Sequence, residues 1–240
     1  AGELIGFFDD DDRYPPDWIT RHVQNLVANP DAVLSYGGLR LIDADGTEVG
    51  IDPARPAPDP RRLRRREVQL LAGSYLIRRL EFLSVGGFNP LFTLAEDLDL
   101  ILRCVGLGPF LPVPDLVRDY RTHPANATGD HRALAASVAR IVGLHLRAAR
   151  ANGDAEAVAD FRVSLAANRR YASWRAGQAL GAAWVGRRPG VFADELVWVL
   201  RFAPETPAVL LAKAVRRAVV RLPFSAAIGG QHGGEEDADN

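Results

Sequence analysis

The stretch Gly2-Glu3-Leu4-Ile5-Gly6-Phe7-Phe8-Asp9-Asp10-Asp11-Asp12 decides the fold prediction. Its apolar part, Leu4 to Phe8, predicts a buried central strand, and the four aspartates that follow place the end of this strand in solvent. In open α/β sheets, ligands bind beyond the C-terminal ends of the strands. The sequence therefore predicts an α/β fold with a functional site at this point.

The acidic run offers oxygen ligands for a divalent cation. On an extended segment, the carboxylates of Asp9 and Asp11 point to the same side and can converge. Such a pair suits Mg²⁺ or Mn²⁺ that carries a diphosphate, whose charge the ion would neutralise. The alternative is a solvated acidic loop that caps the next helix. An EF-hand is disfavoured, since Arg13 and Tyr14 stand where a ligand and a glycine are needed.

A second acidic group, Ala95-Glu96-Asp97-Leu98-Asp99, opens an amphipathic helix. Carboxylates in the first turn stabilise a helix through its dipole, so a purely structural role is one interpretation. The other interpretation makes one carboxylate a general base that takes a proton from an acceptor hydroxyl.

A third group, Tyr120-Arg121-Thr122-His123, ends a segment that we expect to be extended over residues 110–120. Arg121 could bind phosphate, and His123 could complete the shell of a metal ion. A lone histidine is more often a packed or surface residue, so both interpretations of His123 stay open.

Periodicity and turn residues predict the remaining elements. They are a helix opened by Pro15-Pro16, a hairpin over 32–51, a loop over 52–62, a strand or buried segment over 68–77, and helices near 131–151, 155–185 and 192–222.

Composition excludes several classes of protein. The 240 residues carry a formal net charge of -1, which gives no reason to expect nucleic acid as a partner. Cys104 is the single cysteine, so no intrachain disulfide can form, as is usual in a reducing cytosol. Arginines crowd residues 61–66, and this group is either a solvated face or a contact for an anionic acceptor or a membrane surface.

Five segments together resemble the inverting family-2 glycosyltransferases, which have a GT-A-type nucleotide-sugar fold. In chain order they are Gly2 to Asp12, Gly73-Ser74-Tyr75-Leu76-Ile77-Arg78-Arg79, Val85-Gly86-Gly87-Phe88-Asn89, Ala95 to Leu100, and Tyr120 to His123. The resemblance covers residues 1–128 and implies a partial GT-A-like mixed sheet with flanking helices, followed by an α-helical region.

The resemblance also implies roles for single residues. Asp97 would be the catalytic base, and Glu96 would position the acceptor or the base. The other implied sites are donor binding by Asp9, Asp10, Asp11 and Arg121, acceptor binding by Gly86, Gly87 and Phe88, and metal binding by Asp9, Asp11 and His123. Asp97 would deprotonate an acceptor hydroxyl, which attacks the anomeric carbon of a nucleotide-diphosphate sugar with inversion.

The same resemblance divides the chain. Residues 1–128 would be the C-terminal portion of the catalytic domain, 129–225 a helical region, and 226–240 a disordered acidic tail. Family members carry the first strands of the fold before the Asp-x-Asp strand, whereas here only Ala1 to Glu3 precede it. We therefore expect this chain by itself to lack half of the donor pocket and to be inactive.

Partners and location follow from the family alone. The resemblance implies a glycan, lipid-linked or small-molecule acceptor, a role in cell-surface glycan synthesis, and a cytoplasmic protein with peripheral contact at the inner face of the membrane. The Gln-x-x-Arg-Trp motif of processive synthases is absent, which favours transfer of one sugar. The alternatives are a nucleotidyltransferase-like enzyme of the same fold and a non-catalytic binding or scaffold module.

Overall fold

A computed structural model of the chain describes residues 2–57, 59–68, 70–123, 126 and 129–206. Within those ranges the protein has a mixed sheet of five strands and seven helices, which confirms the predicted α/β class and mixed sheet. The strands are β1 (Leu4–Gly6), β2 (Leu34–Ile42), β3 (Glu48–Asp52), β4 (Tyr75–Arg78) and β5 (Phe110–Arg121). The helices are α1 (Trp18–Ala28), α2 (Pro60–Arg64), α3 (Arg79–Ser84), α4 (Glu96–Cys104), α5 (His131–Ala151), α6 (Ala155–Val185) and α7 (Pro189–Phe202).

Strand β2 is the centre of the sheet. It pairs in parallel with β5 along one edge and antiparallel with β4 and β3 along the other. Strand β1 pairs antiparallel with β4, and no other described strand pairs with it. The prediction of a central strand is therefore wrong for β1 within the described residues. An apolar run predicts that side chains of a strand are shielded from water. It does not predict whether other strands pair with one or with both edges of that strand.

The helices cover both faces of the sheet. On one face, Trp18 and Leu26 of α1 pack against Val117 of β5. On the other face, α4 packs Leu100 and Ile101 against the sheet. Helices α5 and α6 lie against the outer side of α4 in a separate apolar cluster. The beginning of α4 is thus held between the sheet and the helical region.

Local sequence signals predict most helix ends well. The predicted bounds of α5 and α6 are confirmed, and each helix is capped by an aspartate, Asp130 or Asp154, whose carboxylate accepts backbone N–H groups of the first turn. The hairpin turn is also as predicted, with Asp43 accepting from the N–H groups of Asp45 and Thr47 at 3.0 and 2.9 Å.

Two predictions of the helical pattern are wrong. The segment 52–62 is not all loop, because α2 begins at Pro60 behind the capping carboxylate of Asp59. The helix expected over 192–222 begins at Pro189 and ends at Phe202, since Pro204 disfavours the helical conformation of the residue before it. The expected part over 207–222 lies outside the described residues. The predicted tail over 226–240 lies outside the described residues.

The arginine-rich group is anchored to the helical region. The carboxylate of Asp160 on α6 is fully buried and accepts from Arg61, Arg64 and Arg65 at 3.3, 3.0 and 2.6 Å. Burial alone would raise the pKa of Asp160, but hydrogen bonds from Arg65 and Arg64 outweigh it and lower that pKa. Three of the arginines thus fasten α2 to α6 instead of forming a free basic face.

Replacing Asp160 tests this anchor. We expect Asp160→Asn to lower the free energy of unfolding by about 2 kcal/mol, since hydrogen bonds from charged groups contribute that much. Denaturant titration at pH 7 measures it. Glu156→Gln is the matched control: Glu156 binds Arg61 and Arg64 from an exposed position and should cost at most about 1 kcal/mol. Equal losses in the two variants would contradict a special role for the buried carboxylate.

No helix within the described ranges is both long enough and apolar enough to cross a bilayer.

Candidate functional site

The acidic run after β1 folds against β5. Arg118 of β5 is 2% exposed and binds the carboxylates of Asp9 and Asp12 through different guanidinium nitrogens. The run is not extended, because it turns back on itself with the N–H of Asp12 donating to the carbonyl of Asp9 at 3.4 Å. The expected convergence of Asp9 and Asp11 on one side is therefore not found: Asp9 reaches Arg118, and Asp11 reaches a different partner.

Asp12 is the most deeply buried carboxylate of the run, with 1% of its side chain exposed. Burial raises its pKa, while the backbone N–H of Arg121, at 2.8 Å, and the charge of Arg118 oppose that rise. Space for Arg118 comes from Gly73, since a Cβ there would lie 2.6 Å from the arginine's Nη1. The backbone of Gly73 also has a φ of +88°, which favours glycine.

Asp11 and His123 form the second contact of the run. The Nε2 atom of His123 lies 3.0 Å from Oδ2 of Asp11. The hydrogen bond from His123 lowers the pKa of Asp11, and burial opposes this only in part. Both side chains are partly exposed, so this pair remains open to a ligand.

Arg121 holds two loops together. Its Nε donates to the carbonyl of Asp11 at 2.8 Å, and its Nη1 donates to the carbonyls of Asp43 and Ala44 at 3.2 and 2.7 Å. These bonds join the acidic run to the turn between β2 and β3. The donor-binding role expected for Arg121 stays a prediction, and in this structure the side chain fixes the shape of the loop.

Asp97 occupies the first turn of α4. Its Oδ1 accepts from the N–H of Leu98 at 2.7 Å, and its Oδ2 accepts from the N–H of Ala72 at 3.3 Å. Withdrawal from water, with a smaller contribution from the neighbouring charge of Glu96, raises the pKa of Asp97 to about 6. The two N–H groups and Arg118 oppose the rise. A carboxyl with such a pKa can exchange a proton near neutral pH.

Ala72 connects the two acidic centres. Its carbonyl accepts a hydrogen bond from Arg118, and its N–H donates to Asp97. The cluster of Asp9, Asp12 and Arg118 is thus separated from Asp97 by a single residue of backbone. The sequence predicted two acidic groups in one site, and the fold brings them together through this peptide.

The glycines expected on the acceptor side end α3. The N–H groups of Gly86 and Gly87 donate to the carbonyls of Leu83 and Phe82 at 3.0 and 2.9 Å, which is a typical helix C-terminus. The ring of Phe88 packs 4.8 Å from that of Phe7, at the end of β1. These contacts support the strand that carries the acidic run. Acceptor contact by Gly86, Gly87 and Phe88 stays a prediction, as does that of Glu96.

One predicted site residue, Asp10, and one arginine, Arg66, complete the surroundings. Asp10 is exposed at the top of the turn. Arg66 adopts a φ of +58° and lines a cleft of about 300 Å³ together with Tyr36 and Ser74. Burial lowers the pKa of Arg66, and the negative charge of Asp97 opposes this. Arg66 therefore links this cleft electrostatically to Asp97, which does not itself line the cleft.

Sequence analysis missed Arg118, Ala72 and Arg66. An arginine within the run Leu116-Val117-Arg118 of a strand is a detectable signal, because a charge among buried residues needs a partner. Ala72 acts through its backbone, which no side-chain pattern reveals. Arg66 belongs to the same arginine-rich group as the three arginines that bind Asp160. The sequence does not show that its side chain lies in a different place from theirs.

Within the described residues, no three His, Cys, Asp or Glu side chains come together as a group able to hold a metal ion. No protein-family model matches the chain, and no curated protein matches it significantly.

Proposed function

We propose that this chain belongs to the catalytic part of a metal-assisted, inverting glycosyltransferase with a GT-A-like fold. It would move one sugar from a nucleotide-diphosphate donor to an acceptor hydroxyl. The observation that carries the proposal is the backbone of Ala72. Its carbonyl contacts the acid–arginine cluster after β1, and its N–H contacts the carboxylate of Asp97. The proposal assigns the donor side to this cluster and the proton acceptor to Asp97, which would put the two next to each other, as this reaction needs.

Asp97 is the general base of the proposal. Its pKa of about 6 leaves it mostly ionised at pH 7, yet basic enough to accept a proton in the transition state. The proton of the acceptor hydroxyl passes to this carboxylate while the oxygen forms a bond to the anomeric carbon. The bond from that carbon to the diphosphate breaks on the opposite face, so the configuration inverts.

The pair of Asp11 and His123 is the candidate for holding the cation. Neighbouring ligands about 2.1 Å from one octahedral ion are about 3.0 Å apart, and Oδ2 of Asp11 lies 3.0 Å from Nε2 of His123. The mixed oxygen and nitrogen donors favour Mn²⁺ over Mg²⁺, which prefers oxygen. A bound cation would neutralise the charge of the departing diphosphate. Asp9 is less suited, because its carboxylate binds Arg118.

The dependence of the rate on pH tests the base. With the full-length protein, Mn²⁺ and a panel of nucleotide-diphosphate sugars, release of nucleoside diphosphate is measured in the presence of acceptor. We expect the rate to rise with pH through about 6 and then level off, because Asp97 acts only when deprotonated. A rate that is flat between pH 5 and 8, on an active donor, would contradict the assignment of Asp97.

One observation favours a binding module as the second candidate. The carboxylates of Asp9 and Asp12 both already bind Arg118, so each has a structural role that needs no donor. A protein that kept the fold for binding alone would show no nucleoside diphosphate release with any donor, and Asp97→Asn would change nothing.

A further inference from the structure

Within the described residues of the helical region, the turn between α6 and α7 exposes the most apolar surface. Trp184, Val185 and Val191 are 75%, 83% and 51% exposed, and the exposed Arg187 and Arg188 lie between them. We call residues 184–191 the α6–α7 tip. Contiguous apolar side chains next to polar ones mark an interaction surface more often than scattered ones do.

The tip has a defined backbone. The N–H of Gly186 bonds to the carbonyl of Ala182 at 2.9 Å, and the N–H of Arg188 bonds to the carbonyl of Ala183 at 2.9 Å. The ring of Trp184 lies 6.0 Å from that of Phe192, which supports it from one side. Neither Arg187 nor Arg188 forms a side-chain ion pair or hydrogen bond with any residue in the described part of the chain. Their charges are thus free to meet a partner.

The charges at the tip are basic. Residues 161–193 contain no Asp or Glu, and Arg187 and Arg188 lie within the tip itself. The acidic residues on either side of this stretch differ in how far they can compensate the positive charge of the tip. Asp160 is used by the arginines of α2, and Glu195 is buried against His131 and Arg132, which leaves Asp194 as the exposed one.

We propose that the α6–α7 tip docks the protein onto an anionic lipid bilayer. Tryptophan prefers the interface between hydrocarbon and headgroups, where its ring is buried and its N–H stays hydrated. Val185 and Val191 add apolar surface at the same end, and the two arginines attract acidic headgroups. A nucleic acid fits less well, because the tip offers three apolar side chains to two charges. The proposal does not depend on the transferase reaction.

The test is co-sedimentation of the full-length protein with vesicles. Phosphatidylcholine vesicles should bind little of it, and vesicles that also contain phosphatidylglycerol should bind it in a salt-sensitive way. Each arginine near an anionic surface contributes about fivefold to partitioning, so Arg187→Gln with Arg188→Gln should weaken binding roughly 25-fold. Trp184→Ala should weaken binding to the anionic vesicles several-fold without changing the thermal midpoint, since its side chain is mostly exposed.

The matched control removes the same amount of charge from helix α6, away from the tip. Arg169 and Arg170 are exposed on α6 and lie about 22 Å along the helix from Trp184, more than a Debye length from the tip at physiological salt. Arg169→Gln with Arg170→Gln should therefore change partitioning less than about twofold. Equal losses for both pairs, no binding to anionic vesicles, or binding that survives the tip variants would each overturn the proposal. So would a Trp184-dependent dimer, seen by light scattering, that accounts for the exposed face.

Discussion

Asp97→Asn should abolish most sugar transfer and leave the fold intact. An asparagine cannot accept the proton of the acceptor hydroxyl, and loss of a positioned base slows a reaction by about 10²- to 10⁴-fold. The variant keeps one side-chain oxygen, which can accept from the nearer N–H, that of Leu98, while the longer bond from the N–H of Ala72 is lost. Release of nucleoside diphosphate by the full-length protein, at saturating donor and acceptor, measures the loss.

The stability of the same variant separates chemistry from folding. The pKa of Asp97 is raised in the folded state to about 6, so folding favours the protonated form, and the ionised form costs stability at pH 7. Asp97→Asn should therefore be at least as stable as the wild type at pH 7. The difference in the free energy of unfolding should shrink as the pH falls from about 6 to about 4. A variant that is slow because it is unfolded would contradict this, as would a stable variant with full activity.

Arg118→Met should be the most destabilising single replacement in the site. Arg118 is almost fully buried and compensates Asp12, whose side chain is 1% exposed, while it also binds Asp9 and the carbonyl of Ala72. Removing one partner of a buried ion pair leaves the other charge uncompensated and costs about 3 to 5 kcal/mol. Denaturant titration at pH 7 measures this, with the slope compared to confirm that both proteins unfold in the same way.

Two further variants isolate the cause. Arg40→Met is the matched control, since Arg40 pairs with Glu48 and Asp119 from a half-exposed position on the neighbouring strand and should cost at most about 1 kcal/mol. Adding Asp12→Asn to Arg118→Met removes the unpaired carboxylate and should recover part of the loss. If Arg118→Met and Arg40→Met lose the same stability, the buried cluster does not hold β5 to the acidic run.

Sequence patterns predict those elements whose causes are local. The bounds of α5 and α6 follow from a capping aspartate at one end and a break at the other, signals that lie within a few residues of the helix. The short helix α3 was missed, because Arg79–Ser84 carries neither a capping side chain nor a full apolar stripe. The residues of α3 carry no such local signal, and the helix is held by packing of Phe82 against Phe7.

The site was predicted as a set of residues and not as an arrangement. The acidic run, Asp97 and His123 were all identified from their residue types and their positions after predicted strands or before a helix. The partner of Asp9 could not be identified in this way, since Arg118 lies 109 residues further along the chain. Alternation along an extended segment also failed as a guide to Asp9 and Asp11, because the run turns instead of extending.

The measurement that tests the central claim most directly is titration of UDP and other nucleoside diphosphates into the full-length protein, with and without Mn²⁺. We expect binding that requires the metal, that is lost in Asp11→Ala, and that is weakened at least tenfold in His123→Ala, because these two side chains would hold the ion. Asp45→Ala, which removes an exposed carboxylate from the nearby turn, should bind as the wild type does. Binding by none of the nucleotides to the folded protein, with or without metal, would contradict the account.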